Sequence, residues 1–400
     1  MRRGRSRLIS EKYKRMLGQK SVIREISEYG AEKAKEIGYD QVFDYSLGNP
    51  SVPVPDEFTQ QLIRLAASEH PGAVHGYSPS LGIPTVRETI AASLQRRFAV
   101  DYRTEHIFMT SGAAGALAHA LRAVTTDGDE VLTFAPYFPE YMPYVNTTGA
   151  VLKIVPPNTN DFQINFAEFE NMITPKLAAV LINTPNNPSG AVYSAETIEK
   201  LAQILRSKEK EYGHDIFLIS DEPYREIVFD GQQAPYIAKY YANTITCYSF
   251  SKSLSVPGER IGYIAVNPEC KEAETIVNMC GQISRGIGHN CPSSIIQLAV
   301  AEVIDLVSDL SVYETNRNIL YRALTEFGFT CVKPGGTFYM FPKALEEDAV
   351  AFCKKALKYN LLLVPGDTFG CPGYFRMAYC IPTEKVQRSL EAFKQLAQEY

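Results

Sequence analysis

Tryptophan is missing from all 400 residues, so any stacking on a flat ligand must come from tyrosine, phenylalanine or histidine. No apolar run reaches the roughly 18 residues that a membrane-spanning helix needs, and no membrane association is expected. The eight cysteines form no C-x-x-C pair, and most sit inside apolar runs. That is the pattern of reduced, buried thiols in a cytoplasmic protein rather than a disulfide framework or a zinc site. The six histidines are scattered without H-E-x-x-H spacing, so no metal site is expected. An excess of positive charge is also lacking. The net charge is −5 and the pI about 5.8, which gives no electrostatic case for a nucleic-acid partner.

What the chain does hold is 45% hydrophobic and 21% charged residues, the balance of a soluble globular protein with one large domain or two. Its start, MRRGRSRLISEKYKRMLGQKS, is basic. Glu11 comes early and no apolar segment follows, so this reads as a solvated arm rather than a transit peptide. Residues Ser10 to Gly38 place Met16, Val22, Ile23, Ile26 and Ala34 among charges, which predicts a helix. Pro50, Pro53 and Pro55 enforce an extended connector. Short helices are predicted over Phe58–Glu69 and from Pro84, proline being a favoured first-turn residue.

From Ile107 onward, apolar runs alternate with helical patterns. IFMT, EVLTF, VLKIV, LAAVLIN, DIFLIS and TITCYSF read as buried strands. The alternation predicts an α/β domain with a mostly parallel sheet flanked by helices. Ligands gather at the carboxyl ends of such strands, and four polar loops fall there: Ser111–Gly115, Asn183–Gly190, Asp221–Tyr224 and Ser249–Lys252. The first, small residues between a strand and a helix N-terminus, has the shape of an anion site. After Pro292 the texture changes. A long helix over 293–327 and mixed short runs predict a smaller α+β domain. The expected division is 1–55 as a segment joining the small domain, 56–292 as the large domain and 293–400 as the small domain.

Lys252 stands out among the polar residues. It lies among Ser249, Ser251, Ser253 and Ser255, between the strand-like runs Thr244–Tyr248 and Ile261–Val266. Burial disfavours the ammonium form, and a neutral amine attacks aldehydes as Schiff-base lysines do. If the aldehyde belongs to a phosphorylated aromatic cofactor, the protein must also supply a phosphate cradle and a carboxylate facing the ring nitrogen. Donors to the ring oxygen and a flat side chain on the ring face complete the set. The strand-end loops offer each.

NTPNNPSG, SDEPYREIVFDG and SFSKSLSVPGERIGY occur in that order, with FRMAY near the end. From about Gly48 to Tyr379 the chain resembles the class I/II aminotransferases, pyridoxal-phosphate enzymes of fold type I, and aspartate aminotransferases among them. The resemblance implies roles. Lys252 would hold the cofactor aldehyde and then shuttle the substrate proton. Asp221 would pair with the ring nitrogen, and Tyr224 and Asn187 would donate to the ring oxygen. Ser249, Arg260, the Ser111–Gly112–Ala113 loop and a partner subunit's Tyr77 would hold the phosphate, which implies a homodimer. Phe138 would stack on the ring, with Tyr137 as a rival because the register is open by one residue. Arg376 would bind the substrate α-carboxylate beside Asn187, under a loop at Gly48.

Arg285, in RGIGHNCP, resembles an arginine that some aspartate aminotransferases lend to the partner's site for the distal carboxylate; a loop arginine at the surface is the competing reading. The implied reaction moves an amino group from an L-amino acid, aspartate favoured, to a 2-oxo acid such as 2-oxoglutarate. Alanine or aromatic donors, a carbon–sulfur β-lyase on the same scaffold, and a non-catalytic cofactor sensor are the alternatives. Ala113 and Ala114 stand where bulkier or hydroxyl residues are common in the family, which leaves the subgroup open.

Overall fold

The computed structural model describes residues 22–67 and 70–400, with the isolated positions 10, 13, 14 and 17. Of the helix expected over 10–38, Val22–Ile37 is present; Met16 and most of the basic arm lie outside the described residues. The strands are β1 (Phe43–Asp44), β2 (Ile107–Thr110), β3 (Glu130–Phe134), β4 (Val151–Val155), β5 (Leu177–Asn183), β6 (Phe217–Asp221), β7 (Thr244–Ser249), β8 (Gly262–Val266), β9 (Tyr339–Met340), β10 (Leu361–Leu362), β11 (Val364–Pro365) and β12 (Phe375–Ala378).

Seven of these form one sheet in the order β2-β8-β7-β6-β5-β3-β4. From β7 to β4 the strands run parallel, while β8 is antiparallel to both of its neighbours. Every residue of β7 and β8 is buried, because helices cover both faces of the sheet. The two-residue period of a strand decides which side chain meets which layer. Ile219, Ile245 and Cys247 pack with the helices Gly112–Val124 and Ala273–Ile287. Leu218 packs with the helix Ala195–Tyr212 on the other face. Asp221 lies two residues beyond Ile219, and Ser249 two beyond Cys247. Both therefore end up on the Gly112–Val124 side, at the carboxyl edge.

The remaining strands form small sheets. β1 pairs with β10 in parallel, and β11-β12-β9 is antiparallel. Tyr45, Phe338, Phe352, Met377 and Phe393 share one core there, so residues near position 45 pack with the C-terminal third of the chain.

The helix expected to run unbroken over 293–327 is two helices, Ser294–Glu302 and Ser311–Glu326. In the intervening segment Ser308 N–H donates to Ser253 O at 2.8 Å, and Asp309 Oδ1 accepts from Ser311 N–H at 3.0 Å. A side chain that captures a nearby backbone donor competes with helix continuation. Ile296, Ala299 and Val300 of the first helix pack with Phe58, Ile90 and Tyr263 against the large sheet. Tyr313, Leu320 and Leu324 of the second join the smaller core. The core that is served therefore changes between these two helices.

Candidate active site

The carboxyl ends of β5, β6 and β7 open into a cavity of about 280 Å³. Strand β7 stops at Ser249, whose Oγ accepts from Ser251 N–H and caps the short helix Phe250–Ser253. That turn carries Lys252 into the cavity wall. Its Nζ donates to Gly48 O at 2.9 Å and lies 5.4 Å from the centre of the Phe338 ring. Burial pushes its pKa down to about 8; the Cys380 thiol opposes this, and the Arg260 and Arg376 charges add to it.

Asp221 is buried at the end of β6. Its Oδ2 accepts from the Tyr141 hydroxyl at 2.7 Å, and its Oδ1 has no partner among the described residues. Burial pushes the carboxyl up to about 7; the Tyr141 hydrogen bond resists this and Glu222 reinforces it. Asn183, at the neighbouring strand end, donates to Asp221 O at 2.8 Å and accepts from Asn187 N–H at 2.7 Å. The side chain of Asn187 then faces Arg376, which donates to it at 3.1 Å and to Ser46 O at 2.5 Å. Arg376 is fully buried, yet its Nε has no partner among the described residues. Its guanidinium stands over the rings of Tyr339 and Phe369, and burial lowers its pKa.

Arg260 sits exposed at the rim in a left-handed conformation, φ 51°. It donates to Pro257 O at 3.0 Å and Ser111 O at 3.3 Å. A Cβ on Gly112 would come within 3.0 Å of its Nη2, so glycine there lets the start of the helix Gly112–Val124 approach the arginine. Ala113 and Ala114 of that helix line the cavity.

Gly48, Ala113, Phe138, Asn187, Asp221, Tyr224, Ser249, Lys252, Arg260 and Arg376 thus surround one cavity. Ser111 and Gly112 border it through Arg260. Phe138 lines it, whereas Tyr137 is turned to the Phe369–Gly370 turn, where its N–H donates to Phe369 O at 3.1 Å. Tyr77 and Arg285 do not reach this cavity. They line a second one of about 540 Å³, and Arg285, for which a surface loop was the competing reading, lies in the last turn of a helix.

Sequence reasoning missed Tyr141, Asn183, Ser251 and Tyr339. Tyr141 had a signal: it stands three residues after Phe138, a spacing that brings side chains together on a helical turn, and the two rings are 5.6 Å apart.

Two partnerless groups test whether this site suits a phosphorylated pyridine aldehyde. Asp221 Oδ1 is an orphaned buried acceptor, as a protonated ring nitrogen requires, and Arg376 Nε is an orphaned buried donor, as a carboxylate requires. The residues fit.

The profile of the family described as aminotransferase class I and II matches residues 40–393. The chain belongs to this family. It is 31% identical over 382 residues to an aspartate aminotransferase of Geobacillus stearothermophilus, covering 90% of this chain and 93% of that protein. It is 30% identical to the aromatic-amino-acid aminotransferase 2 of Thermococcus litoralis, covering 90% and 93%. Among solved structures, an amino transferase of Eubacterium rectale superposes with a TM-score of 0.96 at 43% identity, covering 99% of this chain and 100% of that one. The aspartate aminotransferase of Thermus thermophilus with maleate gives 0.87 at 25% identity, covering 98% and 100%. This aminotransferase has the fold of these enzymes and is a pyridoxal-phosphate-dependent transaminase.

Proposed function

We propose that this aminotransferase moves the amino group of an L-amino acid, aspartate first, to a 2-oxo acid such as 2-oxoglutarate. One observation carries the reading: a single cavity holds a lysine that burial makes easy to deprotonate, together with the orphaned Asp221 Oδ1 and the orphaned Arg376 Nε. When bound, pyridoxal phosphate supplies an electron sink for the charge left as a proton departs from the substrate Cα.

The chain's own residues do the rest. Asp221 would hold the proton on the ring nitrogen, with Tyr141 orienting its carboxyl group. Lys252 would hold the aldehyde, and its free amine would accept the substrate Cα proton on Nζ; an amine with a pKa near the working pH suits a general base. Arg376 grips the α-carboxylate as a planar fork beside Asn187. Ser249, Arg260 and the N–H groups opening the helix Gly112–Val124 would hold the phosphate. Phe138 would cover the ring, and Tyr224 and Asn187 would donate to its oxygen.

Tyr77, which is wholly exposed, and Arg285 serve the neighbouring site of a homodimer, and their shared cavity supports that assignment. Arg285 from the second copy supplies the cation for a distal carboxylate, in keeping with the relatives named aspartate aminotransferase. The eight free cysteines support a cytoplasmic setting. The packing of Phe43, Tyr45 and Val52 with residues after 303 supports a small domain that joins the two parts of the chain.

A second reading, aromatic donors, is favoured by Ile23 and Leu47 in the cavity wall. A panel of amino donors against 2-oxoglutarate, read as kcat/KM ratios, decides between them. Aspartate should lead. Pyruvate and ammonia released from a β-substituted amino acid without need of an oxo acid would refute transamination.

A further inference from the structure

Tyr339 has none of the roles set out above, yet it occupies the middle of the site. It is buried and lines the cavity. Its hydroxyl lies 3.3 Å from that of Tyr224, and the Arg376 guanidinium stands 4.7 Å above its ring. It also fills the space beside Gly48, where a Cβ would lie 1.8 Å from the Tyr339 hydroxyl oxygen. Gly48 O is the acceptor for Lys252 Nζ. One phenol therefore touches Tyr224, Arg376 and the main chain that holds the lysine.

The backbone presenting Tyr339 is tied at several points. Thr337 has φ 62°, uncommon for any residue but glycine and more so for a β-branched one. Its Oγ1 accepts from Tyr339 N–H at 3.0 Å, and its N–H donates to Ile227 O at 2.9 Å. Gly335 and Gly336 N–H both donate to Gly190 O, at 2.9 and 3.0 Å. The fully buried Arg317 donates to Pro334 O at 3.0 Å. A loop fixed this way sets the position of the hydroxyl as well as that of the ring.

Each phenol has one proton to give and can accept in return. If Tyr224 gave its proton to Tyr339, none would remain for the cofactor. We propose that Tyr339 is a positioning residue: its hydroxyl donates to Tyr224 and so keeps the Tyr224 proton aimed at the cofactor's ring oxygen. A relay of this kind strengthens the second hydrogen bond by polarising it. The inference rests on the assignment of Tyr224 to that oxygen.

The test is a pH titration of the visible absorbance of the cofactor-loaded enzyme, for wild type, Tyr224→Phe, Tyr339→Phe and the double variant. Losing a donor to the ring oxygen should raise the midpoint of the colour change. Tyr224→Phe should raise it most. Tyr339→Phe, which keeps the ring, should raise it by about half a pH unit to one, as expected for a modest neutral hydrogen bond. The double variant should match Tyr224→Phe alone, because Tyr339 acts through Tyr224. An unmoved midpoint in Tyr339→Phe, or an equal further shift in the Tyr224→Phe background, would overturn the relay. If Tyr339→Leu weakens substrate binding while Tyr339→Phe is silent, the residue only packs beneath Arg376 and the relay is again wrong. A silent Tyr224→Phe would instead remove Tyr224 from the ring oxygen, and protein that stays colourless with added cofactor would sink the parent reading.

Discussion

The cavity around Lys252 and the cavity around Arg285 are built in different ways. The first lies where strand ladders stop, and the Asn183 side chain ties the main chain that carries its groups, donating to Asp221 O and accepting from Asn187 N–H. The second lies between residues 74–80 and 281–295. Its walls are also tied together, through Ser294 Oγ to Gly76 O at 2.8 Å and Gln297 Nε2 to Ser78 Oγ at 3.2 Å. Yet its most prominent side chain, Tyr77, is fully exposed. The first gathers Lys252, Asp221 and Arg376 around one space within one chain; the second brings together His75, Tyr77 and Arg285. In the homodimer proposed above, a second copy of the chain would bring the two together.

The sharpest way to break this contrast is Lys252→Ala. It should abolish the colour of the lysine-bound cofactor and cost roughly 10⁴-fold or more in turnover, whereas Tyr77→Phe and Arg285→Ala should leave the colour in place. Stopped assays and absorbance spectra of the three variants check this together. A smaller effect separates the second cavity by substrate. Arg285→Ala should cut kcat/KM for aspartate about 10- to 100-fold while changing alanine by less than about threefold, the difference expected when a charged hydrogen-bonding partner is lost. Equal losses on both donors would detach Arg285 from the distal carboxylate.

The smallest effect is on stability, and only the first cavity should show it. Folded Asp221 keeps its proton up to about pH 7, against 3.8 when free in the unfolded chain. Between those values the folded state binds more protons, so the stability of the cofactor-free protein should fall as pH rises. Lys252 acts in the opposite sense. Its folded pKa of about 8 lies below the free value of 10.5, so the unfolded state binds more protons in that window and stability should recover as pH rises through it. Thermal unfolding of the cofactor-free protein should therefore pass through a minimum between the two windows. Asp221→Asn should flatten the falling limb, and a falling limb that survives this change would exonerate the carboxyl.

Much of this was legible from residue order alone. Parallel strands buried on both faces appear as unbroken apolar runs, and the polar residues that end them are conspicuous. That is why Asp221, Asn187, Ser249 and Lys252 could be assigned to one edge. Contacts made only by packing left little trace. Tyr141 and Asp221 are 80 residues apart, and the prolines at 136 and 139 stand just before the helix Tyr141–Thr148 and hide its start. Tyr339 reaches the cavity because the small sheets lie against the large one, which no local pattern records. The break within 293–327 was invisible for a simpler reason: Val303–Leu310 contains no glycine or proline, and its apolar spacing imitates a continuing helix.

The pairing of β1 with β10 joins Phe43–Asp44 to Leu361–Leu362. A chain emerging from the ribosome presents its N-terminus first, so all seven strands of the large sheet, which ends in sequence at Val266, are available long before β10 or Arg376 has been made. The pairing of β1 with β10 must wait until Leu361–Leu362 has been made, and its long loop makes it the slow closure. A nascent chain therefore has Asp221, Ser249 and Lys252 on its strand ends before it has Arg376. On the roles proposed above, such a chain could hold a cofactor earlier than it could choose an amino acid.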